Sequence, residues 1–240
     1  DPNSYVQFVG NKARSRGAKI HSGSAVVSIQ TSGDQVKSVT LANGQSYSAK
    51  YFVNCAGAWA PGIASLYGKS LPIKPWRSQL FVIEGVPNIP SNSPYVIDFD
   101  SRKSFYHPEG GTDRQITGMD GGTQIETSWN VSGDQSIVED LVSRLINLNP
   151  DFESAAIVNS WAGMLELTAD ENPISDFTHF ANLYTMAGFS GHGLPIAPSL
   201  AVEVAKVLTG EQTDIDLTPY AFDRFDADGN APHVEIMSMR

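Results

Sequence analysis

The sequence predicts a mixed α/β (α+β) chain in which a mostly antiparallel β-sheet region is flanked by segments that also carry helices. Three observations predict it. Strand-like runs between residues 71 and 120 follow one another with Pro, Gly and Asn between them and no helical pattern. Apolar-periodic helices are spaced far apart along the chain. A short apolar strand, a glycine-rich turn and a helix close the fold, AGFSGHGLPIAP (187–198) running into SLAVEVAKVLTGE.

The elements follow in order. Tyr5, Phe8, Val9 and Ala13 place one apolar stripe on an opening helix, with Pro2 in its first turn and Gly17 at its stop. AVVSIQ (25–30), QVKSVTLA (35–42) and QSYSAKYFVNCA (45–56) are rich in β-branched and aromatic residues. Asn43-Gly44 between the last two is a hairpin signal, because both residues tolerate positive φ. Tyr51–Cys55 reads as a buried strand entering the turn Ala56-Gly57-Ala58-Trp59, which makes Cys55 an expected core thiol. LPIKPWRSQLFVIEG, SPYVIDFD, KSFYHPEG and RQITGMD form the expected antiparallel sheet. Ile137, Leu141, Leu145 and Leu148 then mark a helix that stops at Asn149-Pro150. The closing helix is expected to start near Pro198, with Leu200, Ala201, Val204, Ala205 and Leu208 on its apolar face. Four segments are expected: 1–70, 71–160, 161–214 and a tail at 215–240.

Composition narrows the function. The chain has 240 residues, 41% hydrophobic and 18% charged, enough for a sizeable core. A formal charge of −10 argues against a nucleic-acid partner or a grip on anionic lipid. One cysteine excludes an internal disulfide, and no His, Asp, Glu or Cys grouping has metal-ligand spacing. No apolar run reaches the ~18 residues of a membrane span, so no membrane insertion is expected. No export signal is visible at the start of the sequence, which for a fragment says little, and the expected compartment is the cytoplasm.

The glycine turn has two readings. Gly188, Gly191 and Gly193 allow close backbone approach and positive φ, and helix-start N–H groups attract negative charge. Equally, the glycines could simply turn a strand into a helix. The spacing departs from G-x-G-x-x-G at Ile196, which weakens a pyrophosphate reading.

Four blocks in register resolve this by likeness. AGFSGHGLPIAPSLAVEVAKVLTGE, VNCAGAWAPGIASL (53–66), WAGMLELTADENPI (161–174) and IDLTPYAFDRF (215–225), with LPIKPWRSQL (71–80), resemble the FAD-dependent oxidoreductases of the D-amino-acid oxidase, sarcosine oxidase and glycine oxidase superfamily. The resemblance extends to the FAD-dependent oxidoreductase domain-containing proteins within it. It implies an incomplete Rossmann-like FAD-binding domain joined to an antiparallel substrate domain. The G-x-G-x-x-G half is expected on residues outside this sequence, in cis or on another chain. The implied cofactor is non-covalent FAD, since Gly163 stands where relatives attach flavin to cysteine. The implied partner is a small amine or amino acid, oxidised at its C–N bond by hydride transfer to flavin N5.

The same resemblance implies a set of site residues. Val27 would meet the adenine region through its backbone. Ala56, Gly57, Trp59, Gly163 and Met164 would line the flavin. Gly188, Phe189, Ser190, Gly191, His192, Gly193 and Leu194 would pass its pyrimidine edge. Leu165 stands where glycine and D-amino-acid oxidases carry a carboxylate-binding Arg, and Pro195 where sarcosine oxidases carry a Lys, which leaves the substrate open. His107, Tyr106 and His192 are the candidate catalytic side chains, each weighed against a plain strand-end or turn role. Arg77, Arg102, Lys103, Asp170 and Glu171 are further polar candidates with structural readings. A non-catalytic FAD-binding or assembly role, and a ligand-binding module without flavin, stand as alternatives.

Overall fold

The computed structural model describes residues 1–98, 104–119, 123–124 and 126–232, with the backbone alone described at 123 and 124. Arg102 and Lys103 lie outside the described residues. The described chain divides into two compact units, residues 1–73 with 172–232 and residues 74–171.

The first unit opens with α1 (Pro2–Ser15), N-capped by Asp1, whose carboxylate accepts from Asn3 N at 3.0 Å. None of its residues is buried. The strands β1 (Val26–Ser32), β2 (Gln35–Leu41) and β3 (Ser46–Tyr47) form an antiparallel sheet. The Asn-Gly turn joins β2 to β3 as the sequence predicts, with Gly44 at φ +84°. The strand β4 (Phe52–Asn54) runs into a 3-10 turn at Gly57–Trp59 and then α2 (Ala60–Ser65).

The second unit is built on β5 (Lys74–Glu84), followed by β6 (Val96–Ile97), β7 (Ser104–Pro108), β8 (Gln115–Met119) and β9 (Thr123–Gln124). Next come α3 (Val138–Leu148) and β10 (Ala156–Leu167). The sheet order is β10-β5-β8-β7-β6, with β9 on the start of β5, and every pairing is antiparallel. Register decides its faces. Phe81 lies opposite Thr117, which lies opposite Tyr106, so these residues share one face, and α3 covers it with Leu141 and Leu145 at 0% and 1% exposure. The apolar positions read from the sequence for this helix therefore set its orientation.

The chain returns to the first unit through β11 (Ile174–Phe177), β12 (Leu183–Ala187) and α4 (Gly193–Thr209). All five residues of β12 are buried, as a central strand covered on both faces requires. It pairs antiparallel with β11 and parallel with β4. Among the described residues β4 has no strand on its other edge. Gly210, at φ +78°, ends α4 by bonding back to Lys206 and Val207 carbonyls.

Two expectations change. α4 begins at Gly193, five residues before Pro198, because Pro195 supplies the fixed φ of a first turn while Pro198 is accommodated inside the helix. Cys55 is exposed: alternation buries Asn54 and turns the next side chain outward from the short, one-sided β4.

Candidate functional site

The two turns singled out in the sequence leave the same end of one parallel strand pair. Register sets Asn54 of β4 beside Thr185 of β12, so Ala56-Gly57 and Gly188 both follow the carboxyl ends of these strands. In sheets containing parallel strands, that end is where ligands are held.

The turn after β12 is conformationally unusual. Gly188, Ser190 and Gly191 all have positive φ, at 85°, 51° and 88°. A serine in that region is strained, and its hydroxyl donates to Gly188 O at 3.4 Å. Phe189, 7% exposed, anchors the turn among Tyr184, Leu200 and Val204. A side chain at Gly193 would meet the Cβ of Phe189 at 3.4 Å, so the helix start is packed tightly on this anchor. His192 is the N-cap but provides no side-chain cap. The first-turn N–H groups of Gly193 and Leu194 thus head a 17-residue helix with no side-chain oxygen from the cap, and Pro195 has no N–H to offer. The turn thus ends on helix-start N–H groups that attract negative charge, with Leu194 itself 48% exposed.

The turn after β4 is held by Asn54. This buried amide donates from Nδ2 to Ala60 O at 3.2 Å and accepts from Ala56 N at 3.2 Å, and Gly57 takes φ +57°. Trp59 closes the 3-10 turn and is half-buried. Below this turn lies an apolar cleft of about 240 Å³, lined by Val26, Ile29, Val39, Phe52, Val53 and Ala56 among others. Val27 belongs to the neighbouring β1–β2–β3 sheet and is 49% exposed.

The remaining candidates belong to the second unit, and strand alternation separates them. Tyr106 faces α3; it is 9% exposed and packs edge-on against Phe152 at 5.0 Å. His107 faces the other way. Gly163 lies opposite Ser78 and Leu165 opposite Trp76, which puts both on the face of His107, whereas Met164 lies opposite Arg77 on the face of Phe81. Arg77 donates to Ser132 O. Asp170 is buried next to the strand end, and Glu171 takes φ +59° with its N–H on Thr168 O at 3.4 Å, a turn role for Glu171.

Sequence reasoning missed a partner of His107. Tyr95 lies flat over Phe105 and His107, with ring centroids at 5.3 and 4.9 Å and interplanar angles of 19° and 17°. Gly118 permits this, since a Cβ there would come within 2.9 Å of the Phe105 ring. His107 Nδ1 is 3.0 Å from Pro108 O; a carbonyl only accepts, so Nδ1 carries a proton and, in the neutral tautomer, Nε2 is the acceptor. Burial pushes the Tyr95 phenol up to about 12, keeping it protonated at physiological pH. The only sequence signal was an aromatic, Tyr95, one residue ahead of the short strand Val96–Ile97.

A family model described as DAO, FAD dependent oxidoreductase, matches residues 1–207. The chain belongs to the DAO family. Among curated relatives it is 29% identical over 198 residues to FAD-dependent oxidoreductase domain-containing protein 1 of Xenopus laevis, covering 75% of this chain and 39% of that protein. It is 25% identical over 214 residues to glycine oxidase of Geobacillus kaustophilus, covering 88% and 54%. Among solved structures it matches L-proline dehydrogenase from P. horikoshii with a TM-score of 0.82 at 24% identity, covering 97% of this chain and 61% of that one. The chain thus spans roughly two fifths to three fifths of the length of these DAO proteins, and its mixed α/β architecture with mostly antiparallel sheets is theirs over that part. No helix among the described residues is long and apolar enough to cross a membrane.

Proposed function

We propose that this chain is the part of a DAO-family enzyme that carries the flavin-ring turn and the substrate sheet, and that the whole protein oxidises the C–N bond of a small amine or amino acid. The observation that carries the reading is the turn Gly188–Leu194, strained at Ser190, anchored by the buried Phe189 and ending on a helix start with no side-chain cap. Its donor set fits the electron-rich edge of a flavin: N–H groups without side-chain competitors, at the positive end of a long helix.

FAD, when bound, supplies the acceptor for the substrate hydride. The chain's own residues do the rest. The N–H groups of Gly193 and Leu194 stabilise negative charge at the ring edge without reorganising. Asn54 holds Ala56 and Gly57 in place beside the same strand ends. His107 Nε2 can take a proton from the substrate amine. Val27 and Trp59 are the further cofactor contacts proposed in the first unit, and His192 contributes chiefly its backbone. In the second unit Gly163 is the proposed contact, while Met164 faces the side covered by α3. Tyr106 has a packing role, since its ring is spent on Phe152.

The pyrophosphate grip belongs, in this reading, to a βα nucleotide-binding segment that pairs in parallel with the open edge of β4. That edge and the apolar cleft beside it are what such a segment would cover. The experiment is anaerobic titration of the full-length, flavin-loaded protein with a panel of N-methyl amines, glycine and D-amino acids. Bleaching of the flavin absorbance by one of them is the expected result. A protein that holds flavin and is bleached by none would instead be the non-catalytic FAD-binding or assembly member. That second reading rests on one observation: Leu165, an apolar residue, stands on the face of His107 at the carboxylate-binding position of the oxidases.

A further inference from the structure

The helix α4 is fastened at both ends. At its start Phe189 holds the turn among Tyr184, Leu200 and Val204. Toward its other end Glu203 is a carboxylate with only 5% exposure. Its Oε2 accepts from Asp214 N at 2.7 Å and its Oε1 from Lys206 Nζ at 3.0 Å. Lys206 Nζ also reaches Asp214 Oδ2 at 2.7 Å. A buried carboxylate is tolerated only where such donors meet it, so the pairing ties α4 to the segment after it at one point. About 15 Å of helix separates that point from the N–H of Gly193, and a helix carries a shift at one end to the other.

The segment then passes round a sheet edge. Among the described residues β11 stands at the end of the order β11-β12-β4. The short 3-10 turns Thr218–Tyr220 and Phe222–Arg224 lie against it. Alternation along β12 puts Tyr184 and Met186 on one face of the sheet and Ala187 on the other. Leu217 and Tyr220 pack with the first group, which contains Phe189; Phe222 and Phe225 pack with the second, which Ala56 also joins. Asp176 pins the crossing, since its Oδ2 accepts from Phe222 N at 3.0 Å and its Oδ1 from Phe177 N at 2.7 Å. Register sets Asp176 beside Thr185 and Thr185 beside Asn54, the row from which both turns depart. No residue from 211 to 225 is itself buried, so the segment adds little core and mainly fixes position.

We infer that residues 211–225 are a positioning strap for the flavin-ring turn, fastened by Glu203 on α4 and Asp176 on β11, and that through α4 it sets where the N–H groups of Gly193 and Leu194 stand. This rests on the flavin-turn reading above and adds the residues that hold the turn in place.

The test is amide hydrogen exchange of the full-length protein, together with the two-electron midpoint potential of its bound flavin. Glu203→Leu should speed exchange across residues 188–197 about tenfold. It should also lower the reduced-to-oxidised flavin ratio at fixed potential about tenfold, a fall of about 30 mV, because N–H groups that wander stabilise the reduced ring less. Asp176→Ala should act in the same direction. So should Tyr220→Ala, which leaves every buried charge paired and keeps the test open if a charge variant fails to fold. Ile83→Val, in the core of the other unit, controls for general destabilisation and should change neither reading. Unchanged exchange across 188–197 in the strap variants, or an equal rise in Ile83→Val, would overturn the strap. Faster exchange with an unchanged potential would overturn its role at the flavin ring. A wild-type protein that takes up no flavin sinks the cofactor reading instead, and exchange alone then decides whether the strap holds the turn.

Discussion

The two units solve the burial problem differently. In residues 74–171, one antiparallel sheet lays Phe81, Ile83, Tyr106 and Met119 under the amphipathic α3, giving a continuous core closed by Phe152. In the other unit the buried residues fall into two smaller groups, Ala- and Ile-rich around α2 and Tyr184–Phe189–Leu200 under α4. Meanwhile α1 buries nothing, and Tyr5, Val6, Phe8, Val9 and Val27 are each at least 41% exposed. The first arrangement is complete in itself. The second spends its buried contacts on holding two turns at one strand end and leaves apolar surface over. A unit built around one core and a unit built around two strand-end turns thus share one chain, and the surplus acid of the former has no counterpart in the latter.

Mutations can break this contrast, and the largest effect is expected in the closed core. Phe81→Ala, at a site with 0% exposure, should cost about 3–5 kcal/mol in urea unfolding. A cost below 1 kcal/mol would show that the sheet and α3 do not form one core. Next comes Asn182→Ala in the first unit. This buried amide accepts from Val36 N at 2.9 Å and donates to Val36 O at 2.9 Å, tying the β1–β2–β3 sheet to the turn before β12. Its loss leaves Val36 groups unpaired and should cost about 2 kcal/mol by the same measurement.

A smaller effect depends on pH. Burial, with Lys69 nearby, lowers the His179 pKa from 6.5, so folding favours the neutral ring. That ring packs on Tyr67 and Phe222 at 5.8 and 5.0 Å. The sign follows: the unfolded chain binds the proton more readily, so this contribution is intact above pH 6.5 and is lost as pH falls from there through the folded pKa. The urea midpoint of wild type should therefore drop more between pH 7.5 and 5 than that of His179→Gln; equal slopes would remove His179 from the account. The smallest effect is expected on the exposed helix. Phe8→Ala, at 59% exposure, should shift stability by less than about 0.5 kcal/mol in this chain. A larger loss would mean that α1 is covered after all.

Much of the molecule was legible because periodicity carries burial. Leu141 and Leu145 announced the covered face of α3, and Asn43-Gly44 announced the β2–β3 hairpin. Cys55 was not legible, because an apolar run looks the same in a central strand and in a one-sided edge strand. The start of α4 was missed for a related reason: two prolines could each begin a helix, and only packing of Gly193 on Phe189 chooses the earlier one.

By itself the sequence determined the local vocabulary of this protein: which segments are strands, where the glycines bend them, and that the net charge is acidic. Those properties are set by a residue and its near neighbours. The tertiary structure decided which side chains face together. It sent Tyr106 into a core and His107 onto the opposite face, laid Tyr95 over Phe105 and His107 above Gly118, and brought two turns more than 120 residues apart to one end of a parallel strand pair. The physical reason is register. Strand pairing joins distant residues, and a shift of one position exchanges the two faces of a sheet.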